Sequence, residues 1–228
     1  MNRKKILALG CGIMLSGAAF AQKSAVTEVL RKYNIDAGVL DPNLKLNSDL
    51  YYYELNSTMV NGNVTKIYAS NYDPARQGDA RWTLLTVNGA APSSSDKKLF
   101  NKQHAVVNNF KVAEDSYKVV KDDGNYVEIS YQFDPASLNS ENGFLKDCMV
   151  TLRINAQTRR LEQSEEVNLK ELKIKILKIT QLNSVAQYLY VESDQKYLVQ
   201  KEDVRMTVKM LGQEVPSNTL NTYRYKLK

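Results

Sequence analysis

Val204-Arg205-Met206-Thr207-Val208-Lys209-Met210 alternates apolar and polar residues without interruption. Successive side chains of a β-strand point to opposite faces, so the even-numbered residues here share one side and Arg205, Thr207 and Lys209 the other. A strand with one apolar and one polar edge belongs to a sheet buried on one face and wet on the other, the habit of antiparallel sheets. The period returns at Tyr223, Tyr225 and Leu227, with Arg224 and Lys226 between them. It returns again upstream, where Val150, Leu152 and Ile154 alternate with Met149, Thr151 and Arg153.

Working outward, further strands are read at Tyr117–Val120, Tyr126–Phe133, Arg160–Val167, Tyr188–Val191 and Tyr197–Val199, separated by short turns. Asp123-Gly124 makes a hairpin of the first two. Lys173-Ile174-Lys175-Ile176 nearly alternates through to Ile179, with Leu177 predicting a bulge. In the first half, Tyr51–Leu55 and Val64–Tyr68 flank Asn61-Gly62, a hairpin signal because both turn positions tolerate positive φ. Trp82–Val87 forms another strand. Two helices are predicted: one from an N-cap at Ser24, burying Ala25, Val26, Val29, Leu30 and Tyr33, and a short one in Ser93–Ala105. With no dinucleotide fingerprint and no regular strand–helix alternation, the fold class is α+β. The expected architecture is one large curved antiparallel sheet, a meander or partial barrel, carrying an N-terminal helix and one further short helix.

The chain opens with Arg3, Lys4 and Lys5, an apolar run from Ile6 to Phe20, and Ala19-Phe20-Ala21. This is the pattern of a secretory signal peptide (residues 1–21), with cleavage expected after Ala21 and export to the periplasm. The remaining residues 22–228, without a Pro-rich linker or repeat, are read as a single α+β domain. Half of the formal charge of +6 lies in the leader. What is left has no basic stripe or nucleic-acid motif, so nucleic acid is not an expected partner. No mature segment is apolar for long enough to form an integral membrane span. Cys11 follows Ala8-Leu9-Gly10 in a superficial lipoprotein box, but the apolar stretch before it is too short for a leader.

Catalytic and metal chemistry find little support. His104 is the only histidine and Cys148 the only cysteine beyond the leader, too few for a zinc site. No G-x-S-x-G turn accompanies His104. Asp122-Asp123, Glu165-Glu166 and Glu202-Asp203 are adjacent pairs, and neighbours on a strand diverge to opposite faces. Asp134–Asn142 lacks the spacing of a calcium loop. The chain is read as non-catalytic, with no cofactor and no metal. Cys148 is read as a small buried hydrophobe.

One block is distinctive: Asp73-Pro74, Gly78, Arg81-Trp82, Leu84-Leu85, Val87, Gly89 and Pro92. It resembles a block in a family of exported proteobacterial proteins of uncharacterised function, and no activity comes with the resemblance. Arg81 and Trp82 make either an interaction patch, both being hot-spot residue types, or an anchor in which Trp82 holds the helix to the sheet and Arg81 pairs with Asp73 or Asp79. At the level of fold alone, a helix followed by a long curved sheet resembles the periplasmic lipoprotein-carrier half-barrels. That resemblance implies an apolar face able to hold acyl chains.

Two functions are therefore expected. The first is a periplasmic carrier or chaperone whose hydrophobic, lipid-like ligand lies against Trp82, Leu84, Ile174, Ile176, Val204, Met206 and Val208. The second is an envelope protein–protein interaction module, with half-exposed tyrosines such as Tyr51, Tyr53, Tyr188, Tyr190, Tyr223 and Tyr225 as its surface.

Overall fold

The computed structural model describes residues 14–104, 109–174, 177–210 and 212–227. Helix α1 (Met14–Lys32) leads into two 3₁₀ turns at Ala37–Leu40 and Leu44–Leu50. Strands β1 (Tyr53–Asn61) and β2 (Val64–Tyr72) follow, then β3 (Trp82–Val87) and helix α2 (Ser94–His104). The second half contains β4 (Lys118–Asp122), β5 (Tyr126–Tyr131), β6 (Cys148–Asn155), β7 (Arg160–Asn168) and β8 (Leu172–Ile174). It closes with the long strands β9 (Leu177–Val191), β10 (Lys196–Met210) and β11 (Gln213–Tyr225).

All eleven strands join one open antiparallel sheet, ordered β3-β2-β1-β11-β10-β9-β7-β6-β5-β4, with β8 also on β9. From β4 to β11 it is a meander. The exception is the seam where β1 pairs with β11 over its whole length, Tyr53 opposite Tyr225 and Asn61 opposite Ser217. That pairing places the N-terminal hairpin beside the last strand. Gly62, at φ 56°, turns the β1–β2 hairpin, but the two-residue loop is Gly62-Asn63 rather than Asn61-Gly62, since Asn61 pairs with Val64 as the last residue of β1.

Opposed residues share a face, so the register defines an inner side: Val204, Ser184, Glu166, Val150 and Tyr131 form one row, and Tyr225, Tyr53, Tyr72 and Trp82 another. Helix α1 sets Val26 and Leu30 against Val127, Ile129, Leu152 and Ile154, all within 3% of complete burial. Each such side chain contributes about 1.5–3 kcal/mol of hydrophobic stabilisation. Helix α2 lies on the same side, with Phe100 against Tyr68 and Leu84. Its start is a reciprocal cap: the Asp96 N–H donates to Ser93 Oγ and the Ser93 N–H to the Asp96 carboxylate, both at 3.1 Å. No helix among the described residues is long and apolar enough to cross a membrane.

Three further local expectations are corrected. Ser24 does not cap α1: the helix already runs from Met14, so Ser24 is an exposed interior residue, and Ala25 is exposed as well. The small and apolar residues before it continue the helix without a break. The run through Ile174 and Leu177 is not one bulged strand. Ile174 pairs with Leu177, so β8 and β9 form a hairpin with Ile174 and Leu177 on opposite arms. Asp73 takes its ion pair with Arg76 (3.2 Å), three residues along its own turn, rather than with Arg81.

Candidate ligand site on the inner face

The proposed wall residues divide into two groups. Trp82 and Leu84, at the β3 edge, face α2. Trp82 is half-buried in an aromatic cluster, its ring centre 5.0 Å from Tyr72, 5.7 Å from Tyr53, 5.6 Å from Phe100 and 4.4 Å from His104. Edge-to-face pairs at these distances add about 0.5–1.5 kcal/mol each beyond the area they bury. His104 stacks on Phe100 and its Nδ1 lies 2.8 Å from the Phe100 carbonyl. Burial lowers the imidazole pKa, against the opposing pull of that carbonyl, and so favours the neutral ring. Arg81 is exposed; its Nε donates to the Arg76 carbonyl at 3.2 Å, and its charge acts on Asp49 and Tyr72.

The second group lies on the long strands. Val204, Met206 and Val208 fall on the inner face and remain half-exposed, with Met206 and Val208 packed on the edge of the main core. Ile174 joins them through Ile179, which lies between Leu172 and Val208 in the register. Ile176 lies outside the described residues. Tyr223 and Tyr225 also point inward, packed against Tyr53, so they are half-buried and not free surface.

Between the two groups runs a strap, residues 36–51, built from the two 3₁₀ turns. Asp36 accepts the Gly38 N–H at 2.7 Å and Asp41 the Asn43 N–H at 2.9 Å, which fixes its two turns. Val39 and Leu44 plug into the main core. Buried Ser48 accepts the Val199 N–H (3.0 Å) and the Tyr225 hydroxyl (2.8 Å). Asn43 exchanges two hydrogen bonds with the Phe110 backbone. Lys45 reaches down to Glu202 at 2.6 Å, their side chains keeping 41% and 18% of their exposure.

Beneath the strap lies a cavity of about 100 Å³, lined by apolar Leu44, Phe133 and Leu152 and by polar Ser164, Glu166 and Tyr188. It has room for a few water molecules. Tyr188 and Ser164 share a hydrogen bond of 3.0 Å. Two carboxylates, Glu166 and Glu202, face the single ammonium of Lys45. Lys45 holds Glu202 below the usual carboxylate range, while burial pushes Glu166 above it. Burial works against the charge of Lys45, but Glu202 beside it raises that group overall.

Carried back from Val204, strand periodicity places Glu202 inward, as far as the bulge between Val199 and Lys201, beyond which the inward residues are Tyr197 and Val199. That signal for Glu202 was available in the sequence. The partner Lys45 was not, because it sits 157 residues away on a segment without periodicity. The outer face carries a separate depression of about 820 Å³, in which Arg205 pairs with Asp203 at 2.7 Å and the Asn183 amide donates to Glu165 at 2.5 Å.

No family model matches the chain, and no curated protein matches it.

Proposed function

We propose that the protein is an exported, non-catalytic carrier or chaperone that holds an apolar, lipid-like ligand against the inner face of the sheet. One observation carries this reading. Val204, Met206 and Val208 stand on the core-bearing face and alternate strictly, yet stay half-exposed, whereas Val127, Ile129 and Ile154 on the same face are fully buried. The apolar row from Val204 to Val208 spans four strand steps, about 13 Å. That is of the order of one acyl chain, since two chains end to end fill a hydrocarbon layer of about 30 Å. The leader-like first 21 residues support export. The test is native mass spectrometry of gently purified protein followed by solvent extraction. A lipid at one per chain, lost in Met206→Lys with circular dichroism unchanged, supports the reading; a clean apo mass from folded protein defeats it.

A second reading rests on the β3 edge. Among the described strands Trp82–Val87 pairs only with β2, its last residue bridging Ala90; it carries no charged residue, and Leu85 is 45% exposed. Uncharged edges of this kind accept a partner strand. A photocrosslinker at Leu85 that captures one defined envelope protein, from a sample free of lipid, favours the interaction module.

A further inference from the structure

Strap 36–51 crosses the inner face between the Trp82–Leu84 group and the half-exposed Val204–Val208 row. The strap is built from short 3₁₀ turns, whose hydrogen-bond geometry is poorer than that of an α-helix. Its hold on the sheet therefore depends on side chains: Val39 and Leu44 in the core, Ser48 on Val199 and Tyr225, Asn43 on Phe110, and Lys45 on Glu202. The charged part of that hold is unbalanced, with one ammonium facing two carboxyl groups.

We propose that the strap is a gate over the inner-face site, latched by the Lys45–Glu202 ion pair, and that ionisation of Glu166 beneath it releases the latch. The inference rests on the carrier reading, because it describes access to that same face. With Glu166 protonated, Lys45 and Glu202 balance and the cavity floor is neutral. With Glu166 ionised, a second negative charge is confined under the strap, where water is scarce and the unpaired charge is costly. Among the described residues that face it, Glu166 has no cation other than Lys45. Those residues are Lys45 and Asp41 on the strap, Cys148 on β6, Tyr131 on β5, Tyr188 on β9 and Glu202 on β10. Opening joins the cavity to the Val204–Val208 row and hydrates Glu166.

The sign follows from proton linkage. Closure raises the Glu166 pKa, so closure is favoured below the ordinary carboxylate range and loses its advantage as pH rises through the raised value. Within that window the opening equilibrium rises about tenfold per pH unit, one proton being released per opening.

The test is amide hydrogen exchange followed by mass spectrometry, corrected for the intrinsic pH dependence of exchange, on residues 36–51 with β6 as internal reference. In the wild type, strap protection falls with pH while β6 protection does not. Glu166→Gln, checked by circular dichroism, holds the strap protected at every pH. A strap that responds no more than β6 overturns the gate, and this arm stands on the wild type alone should the variant misfold. An identical pH response in a folded Glu166→Gln overturns it as well. Lipid occupancy is read separately by native mass spectrometry. A responsive strap without lipid supports the gate and removes the carrier reading; bound lipid under an unresponsive strap does the reverse.

Discussion

The indole of Trp82 and the imidazole of His104 lie 4.4 Å apart, ring centre to ring centre, tying the last turn of α2 to the first residue of β3. Since Trp82 is the only tryptophan, its fluorescence reports on the aromatic cluster that includes His104. His104 has a pKa below its ordinary 6.5 because burial disfavours the imidazolium. Its contribution to stability is therefore complete above the unfolded value and is lost as pH falls through the lower folded value. Trp82 emission is expected to titrate with a midpoint below 6.5 and to lose that transition in His104→Gln. An emission unchanged down to the carboxylate range would show that protonation leaves the contact intact.

Ser48 satisfies a buried backbone N–H on β10 from a segment 151 residues away. Ser48→Ala leaves the Val199 N–H without its acceptor, at a cost of about 1–3 kcal/mol. Urea denaturation should give that loss at an unchanged m-value. A change below about 0.5 kcal/mol, the scale of ordinary surface substitutions, would mean that the strap contributes nothing there.

Cys148 is completely buried, and burial, with the nearby Glu166 carboxyl, pushes its thiol up to about 12. The thiolate is the reactive form, so a folded chain beginning at Gln22, in which Cys148 is the only cysteine, is expected to be inert to thiol reagents at neutral pH. One equivalent should react as the protein unfolds, with the same denaturant midpoint as circular dichroism. Stoichiometric labelling of native protein would contradict this.

Gly124 turns the β4–β5 hairpin at φ 84°, and a Cβ there meets no atom within 4 Å. The cost of Gly124→Ala is then purely conformational, about 1–2 kcal/mol. A thermal melt should register it with no change in the sheet signal.

Local pattern accounts for much of what was read in advance. Period-two alternation over Val150–Ile154 and Val204–Met210 identified strands and their buried sides, because those residues have to serve one apolar and one wet face. Asn61-Gly62 and Asp123-Gly124 marked turns through backbone freedom, and Ser93 with Asp96 marked the start of α2 through a cap four residues long. The same local logic failed where context decided. Ser24 had the chemistry of an N-cap, but the helix was already under way. Ile174 and Leu177 looked like one strand because a tight reversal leaves no trace in hydropathy. Val204, Met206 and Val208 were legible as an inward row, but neither their half-exposure nor their distance from Trp82 and Leu84 was.

Although it divided the single strand β10 into Tyr197–Val199 and Val204–Met210, the sequence by itself determined the alternating runs, their inward sides, the turns at Gly62 and Gly124 and the α+β class. Each depends on residues within a few positions of one another. Only the tertiary structure decided that β1 closes onto β11, that residues 36–51 cross the inner face, and that Lys45 meets Glu202 over a cavity floored by Glu166. Those relations join residues up to 177 positions apart, as Ser48 and Tyr225 are. They are set by which apolar faces can cover one another once loop entropy has been overcome, and no short-range pattern encodes that choice.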